Sequence, residues 1–396
     1  MKRIILWHLA LLALVACQPK EEPIPPALSG LIEKLRAEYA PDKRVALFQV
    51  EAQPEGNEWV LNVETNLPDA LQALKDGLEQ TGLTVQLQAS LLPDTSLQGK
   101  TLGVVQLSAC NIRSEARHSA ELATQAMLGT PLQVYKESEG WYLAQTPDGY
   151  LGWLDSGGFT LMDSTEFDNW KRAPKAVYLP DMGFAFSSPS ITAPVVSDLL
   201  AGNILLWEGD AGSGFGQVRF PDGREAFIPQ NDIMAYDAWL ASRQPDAAHI
   251  IQTAYSFMGR PYLWGGTSGK GVDCSGFTKT AFFLNGLQLP RDASQQVHAG
   301  LPVETDTTLT NLQPGDLLFF GRKATADTPQ KITHVAIYLG DGKIIHASGA
   351  VKVESLRRGD PSFTEYRLQS FVCARRMLGS ETKDGVTPLA DALPYQ

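Results

Sequence analysis

The chain has 396 residues, 43% of them hydrophobic, and a formal net charge of −11 at pH 7. That length exceeds what one hydrophobic core organises and calls for several domains. An acidic chain with no basic stripe has nothing to attract a phosphate backbone, so no nucleic acid partner is expected.

Lys2 and Arg3 precede an apolar run from Ile4 to Ala16, too short to span a bilayer comfortably and typical of a signal peptide. The run ends Leu14-Val15-Ala16-Cys17, which resembles the bacterial lipobox, where the cysteine is diacylated and becomes the mature N-terminus. The resemblance implies a signal peptide over 1–16, lipidation at Cys17, a tether over 17–30 and a membrane partner reached through the lipid. Gln18 after Cys17 resembles lipoproteins bound for the outer membrane, which implies the bacterial cell envelope; Lys20-Glu21-Glu22 resembles an export signal of surface lipoproteins. With Cys17 lipidated, three cysteines remain, so at most one disulfide, Cys110 to Cys373, is available.

Residues 31–98 alternate strand-like runs, Arg44 to Val50 and Trp59 to Glu64, with a helical stretch from Asp69 to Gln80, which fits a small α+β domain. From 99 to 165 short runs of strong strand formers surround turns such as Pro147-Asp148-Gly149 and predict a small β-barrel. Asn111-Ile112-Arg113 and Gly149-Tyr150-Leu151-Gly152-Trp153 resemble the bacterial SH3-like fold, and a divergent second copy is expected over 175–237.

The chemistry is concentrated in the last third. Cys274 follows the glycine-rich run Gly265 to Gly271, and the apolar spacing from Phe277 to Leu284 predicts a helix with Cys274 on its first turn. Unpaired N–H groups and the helix dipole there favour a thiolate, the form in which cysteine attacks. Lys331 to Gly340 reads as a strand bearing His334, and Gly342 to Ser348 reads as its hairpin partner bearing His346, joined across Asp341-Gly342. One imidazole would take the thiol proton and the other would orient it. There is no Cys-x-x-Cys pair and no two histidines stand at helical spacing, so no metal and no cofactor are expected. His118, His249 and His298 read as surface or loop residues.

Over residues 245–378 these features resemble the NlpC/p60 cell-wall cysteine peptidases. Six runs carry the likeness in order: Gly259 to Gly266, Asp273-Cys274-Ser275-Gly276, Pro290 to Gln296, Leu312 to Phe320, His334 to Tyr338, and Ile345-His346-Ala347. The resemblance implies a papain-like fold, Cys274 as nucleophile, His334 as base, His346 as its orienting partner, and hydrolysis of a peptide bond in peptidoglycan. The pairing of Arg291-Asp292-Ala293 with preceding SH3-like modules resembles γ-D-glutamyl-L-diamino acid peptidases, which trim released muropeptides. It implies that Asp292 meets the free amine of an N-terminal L-Ala and that L-Ala-γ-D-Glu is released. Asp273, Ser275 and Arg291 are expected beside the substrate, although Arg291 and Asp292 could instead pair with each other. Tyr262 and Trp264 would line the groove or fill the core beneath it; Tyr150 and Glu115 would form the wall that closes one end. The polar stretch from Gly321 to Gln330 is expected at the cleft rim, and 379–396 as a C-terminal tail.

The expected whole is an α+β multidomain chain: a small N-terminal α+β domain, two SH3-like β-barrels and a papain-like C-terminal domain. A muropeptide-trimming cysteine peptidase, a wall-binding scaffold and a papain-like hydrolase of another amide remain alternatives; the complete Cys-His-His set and Asp292 favour the first.

Overall fold

The computed structural model describes residues 23–56, 58–380 and 385–392. The leader and Cys17 lie outside the described residues.

The described residues divide into two compact bodies, one built from 23–41 and Phe48–Ser90, the other from Asp42–Leu47 and the described residues from Leu91 onward. The first has a helix over Pro26–Tyr39, strands Phe48–Glu55, Glu58–Thr65 and Val85–Leu91 forming one sheet in chain order, and a helix over Pro68–Thr81. Leu28, Ile32 and Leu35 line the buried face of the first helix; Ala70, Leu71 and Leu74 line that of the second. The first helix begins inside the stretch expected as a tether, because Pro26 occupies its first turn, where a fixed φ and a missing N–H cost nothing. The strand expected from Arg44 begins only at Phe48, and residues 42–47 belong to the other body.

The second body contains two seven-stranded antiparallel sheets, one between Leu102 and Met162 and one between Lys175 and Ala235. A helix over Ser164–Arg172 separates them, started by a capping box between Asp163 and Glu166. The first sheet closes over Val105, Ile112, Leu132, Val134, Leu154 and Phe159. The second closes over Tyr178, Leu199, Leu205, Val218, Phe220 and Ile228.

In the C-terminal part, helices Ala247–Ser256 and Cys274–Phe283 accompany a six-stranded antiparallel sheet. Its spatial order is Leu301–Val303, Phe371–Arg376, Leu317–Arg322, Lys331–Gly340, Lys343–Ser348 and Ala350–Ser355. Phe277, Ala281 and Phe282 of the helix meet Phe319, Val335, Ile337 and Ile345 of the sheet in one buried cluster. This packing sets the N-terminus of the cysteine helix against the histidine strand. The stretch expected as a tail is partly docked: Thr387–Pro388 pairs with Leu287–Gln288, and Leu389 is fully buried with Val104, Trp170, Tyr236 and Trp239. Cys110 and Cys373 are both free thiols, so the one available disulfide is not formed.

Candidate active site

Cys274 is the first residue of its helix, and Asp273 caps it by accepting from the Gly276 N–H at 2.7 Å. The second carboxylate oxygen of Asp273 accepts from the Gly265 N–H at 3.0 Å, tying the glycine-rich loop to the helix start. Two glycines are required by close approach. A Cβ on Gly276 would stand 2.0 Å from the Gly266 carbonyl oxygen, and one on Gly265, at φ +77°, would stand 2.1 Å from the Leu122 carbonyl oxygen.

Arg291 is 1% exposed and donates to Asp273 Oδ1 at 3.1 Å and Oδ2 at 2.5 Å, to Ser275 Oγ at 3.1 Å and to Thr124 Oγ1 at 2.9 Å. Its approach to Asp292 is only 3.8 Å. Arg291, Asp273 and Ser275, expected beside the substrate, are buried and bonded to one another. The guanidinium is spent holding the helix cap, because a buried carboxylate needs a partner.

The two histidines meet as expected, His334 Nε2 to His346 Nδ1 at 2.7 Å, both buried. His346 Nε2 lies 3.1 Å from Glu354 Oε2, off-line for a directed hydrogen bond but within ion-pair reach. Glu354 also meets Lys352 at 2.7 Å and Arg367 at 3.5 Å. The contact with His346, against the cost of burial, brings the Glu354 carboxyl down to about 2. The tautomers follow from this anion. A carboxylate facing His346 Nε2 places the proton there, so Nδ1 accepts from His334 Nε2–H and the lone pair of His334 is left on Nδ1.

Burial, then the charge of Asp273, pushes the Cys274 thiol up to about 11, although the backbone N–H groups of Val335 and Ser275 and the charge of Arg291 act in the other direction. The expected pull of the helix N-terminus toward a thiolate is present but opposed by desolvation. Burial, and then the charge of Arg367, holds His334 well below the ordinary imidazole value. Both directions favour a neutral thiol and a neutral imidazole. Proton transfer must accompany attack.

The wall beside this centre comes from the first seven-stranded sheet. Gln125 accepts from Thr267 N–H at 3.1 Å and from Ser268 Oγ at 2.9 Å, and Lys279 of the cysteine helix pairs with Asp148 at 2.5 Å. Tyr150 donates its hydroxyl to Asp292 Oδ2 at 3.2 Å, and Asp292 remains 26% exposed. Tyr262 is half-buried against the core and close enough to Cys274 for the thiolate charge to raise its phenol further than burial alone. Trp264 is exposed and donates to Glu121 Oε1 at 2.6 Å. Glu115, expected in the wall, is exposed and paired with Arg117; the acid that reaches across is Glu121. His118, His249 and His298 are exposed, and the stretch from Gly321 to Gln330 is largely so. Among the described residues no cluster of three or more His, Cys, Asp or Glu could hold a metal ion.

Two participants were missed. Glu354 had a signal, since in Val351-Lys352-Val353-Glu354 strand alternation puts Lys352 and Glu354 on the face of His346, whose register partner is Lys352. Arg44, which donates to Asp292 Oδ2 at 2.7 Å, had none, being 248 residues away in the chain.

Residues 259–371 match the NlpC/P60 family, and residues 112–158 match the bacterial dipeptidyl-peptidase Sh3 domain. A γ-D-glutamyl-L-lysine dipeptidyl-peptidase of Bacillus subtilis is 39% identical over 66% of this chain and 82% of its own length. One of Bacillus cereus is 31% identical over 65% of this chain and 76% of its own. The crystal structure of an NlpC/P60 family protein from Bacillus cereus superposes with a TM-score of 0.58 at 25% identity, covering 69% of this chain and 99% of that one.

Proposed function

This chain is a cysteine peptidase of the NlpC/P60 family, and we propose that it hydrolyses the γ-D-glutamyl–diamino acid bond of peptidoglycan-derived peptides bearing a free N-terminal L-Ala, releasing L-Ala-γ-D-Glu. The observation that carries the substrate assignment is Asp292, a partly exposed carboxylate beside Tyr150 at the edge of the catalytic centre. A partly exposed carboxylate so placed attracts a substrate ammonium, which an N-acylated peptide lacks. The dipeptidyl-peptidases to which the chain is similar support the same assignment.

In the proposed reaction Cys274 gives its proton to His334 Nδ1 as the sulfur attacks the γ-carbonyl carbon. Backbone donors near Cys274 stabilise the oxyanion. The protonated His334 then delivers its proton to the leaving amine as the C–N bond breaks. Water, deprotonated by His334, hydrolyses the thioester and restores the thiol. His346 holds the base in its working tautomer, and Glu354 fixes His346.

Mass spectrometry of L-Ala-γ-D-Glu-meso-diaminopimelate and its N-acetylated form, incubated with the lipid-free protein and with Cys274→Ala, tests the proposal. Release of L-Ala-γ-D-Glu from the free-amine peptide, absent in the variant, is the expected result. Equal cleavage of the two peptides would refute the amine assignment, and cleavage of neither would refute the substrate class. The proposal includes lipidation at Cys17 and an outer-membrane location, supported by the leader sequence; loss of metabolic palmitate labelling in Cys17→Ala is the expected result.

A further inference from the structure

Asp292 does not stand free for a substrate amine. Arg44 Nη1 donates to its Oδ2 at 2.7 Å and to Ser294 Oγ at 2.9 Å. The same guanidinium is gripped from behind by Asp42, Nε to Oδ1 at 2.8 Å and Nη2 to Oδ2 at 2.7 Å. Asp42 in turn accepts from Gln295 Nε2 at 2.9 Å, on the short helix that follows Asp292. The backbone is fastened too: Leu151 N–H donates to the Arg44 carbonyl at 2.7 Å, and Gln145 Nε2 donates to the Val45 carbonyl at 2.9 Å. Fork geometry on Asp42 and two backbone anchors make Arg44 a fixed part of the wall.

The charges around Asp292 alternate. Asp42, Arg44, Asp292, Arg291 and Asp273 form a row in which each guanidinium lies between two carboxylates, leaving one net negative charge. A substrate ammonium would neutralise that charge, but it would approach a carboxylate that already holds a cation on one oxygen. The attraction it gains from Asp292 is partly cancelled by repulsion from Arg44.

Resting on the assignment of Asp292 as the amine site, we propose that Arg44 is a specificity-determining residue: a built-in counter-cation that weakens the hold of Asp292 on the terminal ammonium and so lowers discrimination between free-amine and N-acylated peptides. It also keeps product from being retained, since L-Ala-γ-D-Glu carries the same ammonium. Tyr150 and Arg291 are the other groups facing Asp292; neither gains or loses charge near neutrality.

The test compares kcat/KM for the free-amine and N-acetylated tripeptides in the wild type, Arg44→Gln, and the double variant Asp42→Asn/Arg44→Gln, which restores the net charge without the cation beside Asp292. The ratio of free-amine to N-acetylated kcat/KM should rise by about fivefold in Arg44→Gln, given a unit charge removed near a partly exposed group. The double variant should keep part of that gain, through a lower KM for the free-amine peptide. The gain should vanish above about pH 8, where the α-amino group loses its proton. A structural role alone would not produce that pH dependence. An unchanged or lower ratio in Arg44→Gln, with the wild type still preferring the free amine, overturns this proposal and leaves the amine site standing. A wild type with no preference overturns both.

Discussion

Replacing Arg291 by methionine is expected to be among the most damaging changes available outside the catalytic residues. The side chain is 1% exposed and makes four hydrogen bonds, two to Asp273, one to Ser275 and one to Thr124. Methionine fills much of the volume but leaves the 7%-exposed Asp273 carboxylate without its counter-ion. Breaking one side of a buried pair costs about 3–5 kcal/mol, which corresponds to a fall in melting temperature on the order of 10 °C for a body of this size. Lysine cannot reproduce the fork and should recover little. In Arg291→Met/Asp273→Asn no charge is stranded, and asparagine can still cap the helix. The double variant should therefore be more stable than the sum of the single losses by at least ~1 kcal/mol. Scanning calorimetry of the four proteins at neutral pH provides the cycle. A single-variant loss below ~1 kcal/mol, or strict additivity, would refute the claim that a buried ion pair secures the cysteine helix.

Glu354→Gln should lower kcat about 10- to 100-fold with little change in KM, because an amide donating to His346 Nε2 stabilises the tautomer that places a proton on His334 Nδ1; unchanged kcat would remove Glu354 from the relay. The acid limb of kcat/KM should lie well below pH 6.5, since burial lowers His334 and neutral imidazole persists until pH falls through that depressed value. A half-maximal point at or above 6.5 in a pH–rate profile would contradict a buried base. Asp148→Asn should weaken the seating of the first sheet on the cysteine helix, because the nearly buried Lys279 would lose its partner. A loss of about 3 kcal/mol or more in thermal unfolding is expected.

The pairing of the two histidines and the helix start at Cys274 were legible because strand and helix periodicity are local. A hairpin across Asp341-Gly342 suffices to bring His334 beside His346, and the glycine run before Cys274 marks a helix start. Contacts between distant segments were not legible. Arg291 and Asp292 are adjacent in sequence and read naturally as a pair, yet the fold turns one inward to Asp273 and the other outward to Tyr150 and Arg44. Glu115 and Glu121 are close in sequence, and only the positions of the strands determine which one reaches Trp264. The ionisation of the thiol was not legible for a different reason. A helix N-terminus can be read from sequence, whereas desolvation depends on everything packed around it.

Part of the surroundings of the proposed amine site comes from a different stretch of chain than the chemistry: Arg44 and Tyr150 face Asp292 from outside the family-matched segment 259–371, which holds Asp292 itself together with Cys274, His334, His346 and Glu354. Selectivity can therefore drift, by evolution or by directed mutagenesis at 42–47 and 146–150 with Asp148 kept, while the reaction machinery stays constant. A library confined to those two short segments is a compact search space for peptidases that accept capped or differently charged stem peptides.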